Sequence, residues 1–298
     1  MTSKTHDHVG ERANAGAHAQ ADRHASPVRP TCTHAHHCDH ETRQAVLRRS
    51  PVFGGLDDDQ VAAVDGLMTV RSWEAGEALF HEGDPLDSLW VVAQGHVALS
   101  RVDADGQEVI TDLLAPGDMT GALAATGGAG RASGRGIPSG AGDAGSRMSA
   151  ADDTARALET TCALAVDPSV FRRILGDYPD VAVRLLEELS GRVATLRTHV
   201  GRRSAGSVAQ RVAGTLVDLA ERVGERREDG SVLLKVPLSR ADLAKMSGTT
   251  VESTSRTMSG WRRDGVIDSG RQWTAILDMD RMHDIADGAG AADGAAGA

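Results

Sequence analysis

The stretch that decides the fold is Pro237–Met258, which reads PLSRADLAKMSGTTVESTSRTM. Ser239 followed three residues later by Asp242 is typical of a capped helix start. Gly248 stands where the chain leaves that helix, and a glycine accepts a left-handed backbone conformation without strain. The spacing therefore predicts two short helices joined by a tight turn at Gly248, the second with Met258 turned inward.

Downstream of these helices, residues 265–277 predict two short strands that turn at Ser269–Gly270. Two helices, a turn and a strand pair form a winged helix-turn-helix, whose second helix enters the major groove of DNA. On that helix, Arg256 can donate two hydrogen bonds to guanine and Glu252 can accept one from cytosine. Val251 can contact a thymine methyl group. The segment thus predicts recognition of double-stranded DNA.

Other residues of the segment fit supporting contacts to DNA. Ser255 is small enough to let the helix approach the groove closely. Contacts to phosphates, which position a protein without specifying sequence, are expected from Arg240, Thr249, Thr250 and Arg262. An alternative is that Arg256 and Glu252, four residues apart, only pair with each other on a solvated helix face.

Charge and composition exclude several classes of protein. The 298-residue chain has a net charge of −10, but residues 201–286 hold 14 Arg and Lys against 12 Asp and Glu. An acidic protein can still bind DNA if its basic groups share one face. No apolar run suffices to cross a bilayer, the start lacks a secretion signal, and three cysteines make no disulfide framework. We therefore expect a soluble, cytoplasmic protein. We do not expect an enzyme, because the sequence contains no recognisable pair of a nucleophile and its base.

Upstream of the DNA-binding segment, Pro179 opens a long helical pattern with apolar residues at alternating spacings of three and four. This spacing is typical of a coiled-coil seam and predicts a homodimer. The alternative is a single helix that lies on the core of its own domain. The predicted seam consists of Leu186, Leu189, Val193, Leu196 and Val200.

The region before this helix predicts a small barrel or roll. Residues 69–118 contain short apolar runs broken by glycine turns. Residues 88–93 and 96–100 are expected to be paired strands, and Asp105–Gly106 is expected to be a hairpin turn. The glycine-rich stretch 127–150 is expected to be a flexible insertion.

These features together resemble the CRP/FNR superfamily of bacterial transcription regulators. The glycine spacing of Gly76–Asp84 and Leu89–Val97 is similar to the cyclic-nucleotide-binding-type β-roll, and Glu252-x-x-Ser255-Arg256 resembles the recognition helix of the FNR branch. The resemblance covers about Pro51–Ala286. It implies an α+β fold, a homodimer that reads a TTGAT/ATCAA-type inverted repeat, and RNA polymerase as a partner.

The resemblance and the composition together divide the chain into five parts. The expected parts are a disordered N-terminal tail with a Cys/His cluster (1–42), a β-roll sensor (43–178, insertion 127–150), a dimerisation helix (179–202), a winged helix-turn-helix domain (203–286) and a disordered tail (287–298).

The sequence offers two candidate sites for a signal, of which the first is the phosphate cassette of the β-roll. The resemblance places a Glu after Gly117 and an Arg near Asp152 in members that bind cAMP. Here Asp118 follows the glycine, and Asp152 and Asp153 are acidic and would repel a phosphate. The sequence therefore argues against cAMP.

A second candidate signal site comes from the FNR branch, whose members sense oxygen or nitric oxide through a cysteine-bound iron–sulfur cluster. Cys32, Cys38 and Cys162 resemble that layout, and His37 is a candidate fourth ligand. Zinc or haem is the alternative cofactor. Three further alternatives stay open: a β-roll that binds a small-molecule effector, a constitutive regulator with a degenerate sensor, and a tail whose cysteines bind nothing.

Overall fold

The computed structural model describes residues 38–121, 149–270 and 273–288. The helices are α1 (His40–Arg49), α2 (Asp58–Asp65), α3 (Pro168–Asp177), α4 (Pro179–Ala205), α5 (Val208–Val223), α6 (Arg240–Ser247), α7 (Val251–Arg263) and α8 (Met279–Asp287). The strands are β1 (Thr69–Trp73), β2 (Ala78–Phe80), β3 (Pro85–Leu86), β4 (Leu89–Gln94), β5 (Val97–Val102), β6 (Glu108–Leu114), β7 (Met119–Gly121), β8 (Ser149–Ala150), β9 (Thr154–Ala157), β10 (Thr161–Val166), β11 (Gly224–Arg226), β12 (Val232–Leu234), β13 (Ile267–Ser269) and β14 (Thr274–Ile276).

The N-terminal half is an antiparallel β-roll, which confirms the predicted fold class. Its strands form two four-stranded sheets, in the orders β1-β10-β4-β7 and β2-β9-β5-β6, with β3 and β8 as a separate pair. Every residue of β10 is buried, because one side of this strand faces a cluster around Phe53 and Phe171 and the other a cluster around Trp90. The roll therefore has two apolar cores that share a central strand.

One predicted strand pairing is wrong. The runs 88–93 and 96–100 form β4 and β5, but these two strands lie in different sheets. Gly95 turns the chain between them with φ = 83°, a conformation that favours glycine. The expected hairpin does exist at Asp105–Gly106, where it joins β5 to β6.

Helix α1 is fixed to the roll by a buried arginine. Arg43 donates hydrogen bonds from Nη2 to the backbone oxygens of Asp65 (2.7 Å) and Met68 (3.1 Å) and forms an ion pair with the Asp65 carboxylate. His40 contacts the same carboxylate through Nδ1 at 2.6 Å. Since α1 begins at His40, the last residues of the segment expected to be a tail are helical.

In its described residues, the C-terminal half contains the helices α5 to α8 and a sheet in the order β11-β12-β14-β13. Its core joins Leu216 of α5, Leu243 of α6, Met258 and Trp261 of α7, and Met282 of α8. The predicted wing corresponds to β13 and β14, which two further strands extend. Within the described residues, no helix has the length and apolar character that crossing a membrane requires.

Candidate nucleic-acid interface

The helix-turn-helix has the local geometry that its sequence predicts. Ser239 and Asp242 form a reciprocal capping box at the start of α6, and Gly248 ends that helix in the left-handed conformation with φ = 60°. Thr250 then caps α7, because its hydroxyl accepts a hydrogen bond from the backbone N–H of Ser253 at 3.2 Å. Each of these caps depends on residues within one helical turn of each other, so the local sequence is sufficient to predict it.

The predicted base-reading side chains lie on the exposed face of α7. Glu252 and Arg256 are 81% and 76% exposed and form an ion pair at 2.5 Å. Val251 is exposed beside them, and Ser255 is half-buried. The pairing expected as an alternative therefore occurs, and it leaves both side chains at the surface where DNA can reach them. Opposite this face, Met258 is fully buried.

The predicted phosphate contacts have other partners in this structure. Arg240 is half-buried against the sulfur of Met258 and donates to the hydroxyl of Ser269 at 2.9 Å. Burial and the neighbouring charge of Arg262 lower the pKa of Arg240. The backbone N–H of Thr249 bonds to a carbonyl of α6, and the Thr250 hydroxyl caps α7.

The long helix α4 exposes its predicted seam. Leu186 and Val193 are 65% and 48% exposed, and Leu189 is exposed too. Val183, which lies one turn earlier, extends this apolar stripe. Leu196 and Val200 lie outside the residues whose side chains are described. In the described part, the seam does not pack on the helix's own domain.

A polar contact between the two halves was not predicted from the sequence. Lys245 of α6 bonds to Glu108 of β6 at 2.6 Å. Arg222 of α5 pairs with Asp112 and donates to the backbone oxygen of Leu113 at 2.7 Å. An open cleft lies between α5, α6 and β6.

The sequence signal for this contact is a stripe of polar residues along one face of α5. In α5 the stripe residues are spaced four, three and four apart, which places them on the same side of the helix. All of them line the cleft. They are Arg211, Thr215, Asp218 and Arg222.

Side chains from α4 and from α5 both contact the chain where the loop enters β7. Asp118 accepts a hydrogen bond from the backbone N–H of Ala115 at 2.9 Å and lies 3.4 Å from Arg222. Burial raises the pKa of Asp118, and the nearby Arg222 and Arg192 oppose that rise. Arg192 of α4 also donates to the backbone oxygen of Met119 at 3.1 Å.

The acidic pair expected to exclude cAMP is held by an arginine. Asp153 accepts hydrogen bonds from Arg101 and from the hydroxyl of Thr111, both at 3.1 Å. Arg101 also approaches the backbone oxygen of Asp152 at 3.4 Å. The ion pair with Asp153 raises the pKa of Arg101. In this structure the guanidinium of Arg101 is therefore already paired with the carboxylate of Asp153.

Two of the predicted metal ligands can be located. Cys162 is 1% exposed in β10, and Cys38 is half-buried just before α1. Both belong to the apolar cluster around Phe53. Cys32 and His37 lie outside the described residues. Among the residues that are described, no three His, Cys, Asp or Glu side chains are grouped to hold a metal ion.

Comparisons with known proteins agree with this geometry. Residues 210–285 match the family model of the Crp-like helix-turn-helix domain, and residues 70–134 match that of the cyclic nucleotide-binding domain. The CRP-like cAMP-activated global transcriptional regulator of Mycobacterium tuberculosis is 24% identical over 237 residues, which cover 80% of this chain and 96% of that protein. The transcriptional activator protein FnrL of Cereibacter sphaeroides is 26% identical over 250 residues, with coverages of 82% and 90%.

A solved structure shows the same fold. The structure of FixK2 from Bradyrhizobium japonicum matches with a TM-score of 0.58 and 22% identity, over 73% of this chain and 96% of that one. The two family models and the curated relatives identify the chain as a DNA-binding transcription regulator, not an enzyme. The chain therefore contains a Crp-like helix-turn-helix domain and a domain of the cyclic nucleotide-binding family, and it has homologues in the CRP/FNR family.

Proposed function

We propose that this regulator is a homodimer that reads an inverted repeat with the exposed face of α7. The observation that carries the proposal is the exposure of Glu252 and Arg256 on a recognition helix whose other face is buried in the domain core. Their ion pair orients both side chains outward before DNA is bound. Val251 and Ser255 complete the proposed base-reading face.

The backbone of DNA is proposed to contact the start of α7 and its surroundings. Thr249 and Thr250 precede the first turn of α7, where unpaired N–H groups and the helix dipole favour a phosphate. Arg240 would have to leave Ser269 to reach one. We therefore assign Arg240 a supporting role, in which its guanidinium links α6 to the wing.

Dimerisation is proposed to use the apolar stripe of α4. Large apolar side chains exposed at helical spacing fit a second copy of the same helix. A dimer would place two copies of α7 to read two half-sites related by two-fold symmetry. Contact with RNA polymerase and a cytoplasmic location stay predictions.

We further propose that Cys32, Cys38, Cys162 and His37 hold an iron–sulfur cluster, so that oxygen, nitric oxide or redox state is the signal. Cys38 and Cys162 support this, since both belong to one apolar cluster and thiolates are the preferred ligands of such clusters. When bound, the cluster would supply redox-active or gas-reactive iron. The fit is incomplete because the described residues provide only these two thiols.

Base recognition is tested with the variant Arg256→Ala. We expect specific DNA to bind about 1–3 kcal/mol more weakly, because a bidentate contact to guanine is lost. The measurement is fluorescence anisotropy with an inverted repeat and with scrambled DNA. Arg263→Ala is the control, since it removes the same charge from the exposed end of α7. Unchanged specific binding by Arg256→Ala would exclude the assignment.

The signal is tested by anaerobic purification, an absorbance spectrum, and iron, sulfide and zinc analysis. Broad absorbance near about 400 nm that bleaches in air, with iron and sulfide present, is expected for a cluster. The spectrum should be lost in Cys38→Ala and in Cys162→Ala. Zinc without sulfide would indicate the alternative metal. A metal-free protein that binds its repeat equally with and without air would favour a different effector or a constitutive regulator.

A further inference from the structure

Arg211 connects two distant parts of the C-terminal half. Its Nη1 donates to the backbone oxygen of Gly206 at 2.9 Å. Gly206 and Ser207 connect α4 to α5, and we call this connection the hinge. The Nε and Nη2 of Arg211 donate to the backbone oxygens of Ser247 (3.1 Å) and Gly248 (3.3 Å), in the turn between α6 and α7. One half-buried side chain thus ties the end of α4 to the turn that precedes α7.

The acceptors suit an arginine. The carbonyls at the end of α6 have no partner within that helix, and a cation near a helix C-terminus is favourable. Because the guanidinium is planar and rigid, bonding on its separate N–H groups fixes the positions of both segments relative to each other. Lysine carries the same charge but lacks this fork.

In the proposed homodimer, the contacts of Arg211 would affect the distance between the two recognition helices. Two copies of α4 would set the distance between the two hinges at Gly206, and each Arg211 would then set the position of α7 relative to its own hinge. The spacing of two half-sites on DNA has to match the separation of the two recognition helices.

We propose that Arg211 is a positioning residue that determines which half-site spacing the protein accepts. It contacts no base in this scheme and acts through the turn at Gly248. The inference rests on the proposed homodimer that reads an inverted repeat, and it adds the residue that couples the dimer helix to the recognition helix.

The test begins with selection of the wild-type binding site from a random DNA library. Three probe types follow: the selected site, the site with its spacer one base pair longer or shorter, and the site with one base changed in a half-site. Affinities are measured for wild type, Arg211→Met, Arg211→Lys and Arg173→Met. The last variant removes an exposed arginine from α3, away from the hinge.

We expect Arg211→Met to lower the preference for the selected spacer by about tenfold while preference for the correct base is retained. Arg211→Lys should lose spacer preference too, and Arg173→Met should behave as wild type. An equal loss of affinity on all probes would mean that Arg211 only supports the fold, and would overturn the proposal. If circular dichroism shows that Arg211→Met is unfolded, the spacer preference of Arg211→Lys is used to test the proposal.

The two levels of the argument fail differently. If wild type selects no inverted repeat, the proposed function fails and the role of Arg211 falls with it. If wild type selects a repeat with a strict spacer and both Arg211 variants keep that strictness, the role of Arg211 alone is wrong. A wild type that tolerates all spacers would overturn it as well.

Discussion

At the scale of single residues, the ion pair between Glu252 and Arg256 joins two roles in one contact. Without DNA the two side chains satisfy each other on an exposed helix face. An exposed pair at this spacing contributes only about 0.5 kcal/mol, so its replacement by base contacts costs little. Buried Met258 and Trp261 hold the helix that presents the pair. The site is therefore firmly placed but its contacts are exchangeable.

The ion pair of Glu108 predicts how the stability of the protein depends on pH. Its hydrogen bond with Lys245 lowers the pKa of Glu108 below the ordinary value of 4.5, and Arg156 adds to this effect. A lowered carboxylate pKa stabilises the fold above the unfolded-state pKa, and that stabilisation is lost as pH falls through the folded-state pKa. Because Glu108 is about one-third exposed, we expect Glu108→Gln to lower the free energy of unfolding by only about 0.5 kcal/mol near pH 7.

The measurement is urea unfolding of wild type and Glu108→Gln at a series of pH values. The difference should disappear at acid pH, where protonated Glu108 resembles glutamine. Glu228→Gln is a control outside this contact, since Glu228 lies exposed in the loop between β11 and β12. A difference between wild type and Glu108→Gln that does not shrink as the pH falls toward the acid limit of folding would contradict the assigned ion pair.

At the scale of elements, α4 shows how much of a helix its sequence explains. Apolar spacing predicts the helix and its stripe, and Leu186, Leu189 and Val193 are exposed in the structure. Periodicity alone leaves two possibilities, a partner helix or the protein's own core. The exposure of the stripe favours a second copy of the chain.

The double variant Leu186→Asp, Leu189→Asp should be a monomer. Two carboxylates in an apolar interface would lose their hydration without gaining a partner. The measurement is size-exclusion chromatography with light scattering, compared with wild type. Gly191→Asp is the control because Gly191 lies on another side of α4, where an added Cβ contacts nothing within 4 Å. A double variant that stays dimeric would place the interface elsewhere.

The strands mark where sequence patterns stop being sufficient. The pattern predicts strands near β4 and β5 and a hairpin between β5 and β6, and the hairpin is present. It does not predict that β4 and β5 separate into two sheets. Their apolar runs fit burial in either sheet, and only pairing with β10 and β9, which come much later in the chain, decides between them.

At the scale of the whole molecule, the two halves are joined by charged contacts across the cleft. Arg222 contacts Asp112, Asp118 and the backbone oxygen of Leu113. Lys245 adds a second contact with Glu108. These bonds hold α5 and α6 against β6. The β-roll and the DNA-binding half therefore contact each other through this surface.

Arg222→Met should loosen that connection. Methionine keeps much of the apolar stem but removes the cation that Asp112 and Asp118 share, which we expect to cost about 2 kcal/mol. Hydrogen exchange should become faster in β6 and α6. Lys235→Met is the control because Lys235 pairs with Glu225 at the exposed surface of the C-terminal sheet. Unchanged exchange in β6 would show that the halves are held by other contacts.

By itself the sequence determined the features that depend on near neighbours in the chain. These include the capping box at Ser239, the turn at Gly248, the exposed pair on α7 and the periodicity of α4. Each depends on residues one or two helical turns apart, so the order of residues along the chain is enough to predict it.

Only the tertiary structure decided what depends on distant segments. The bond between Lys245 and Glu108 joins residues 137 positions apart, and Arg211 reaches Ser247 across 36 positions. Arg240, which the sequence assigns to phosphate, lies against Ser269 instead. A charged side chain takes whichever partner the fold brings near, and no local pattern in the chain specifies that partner.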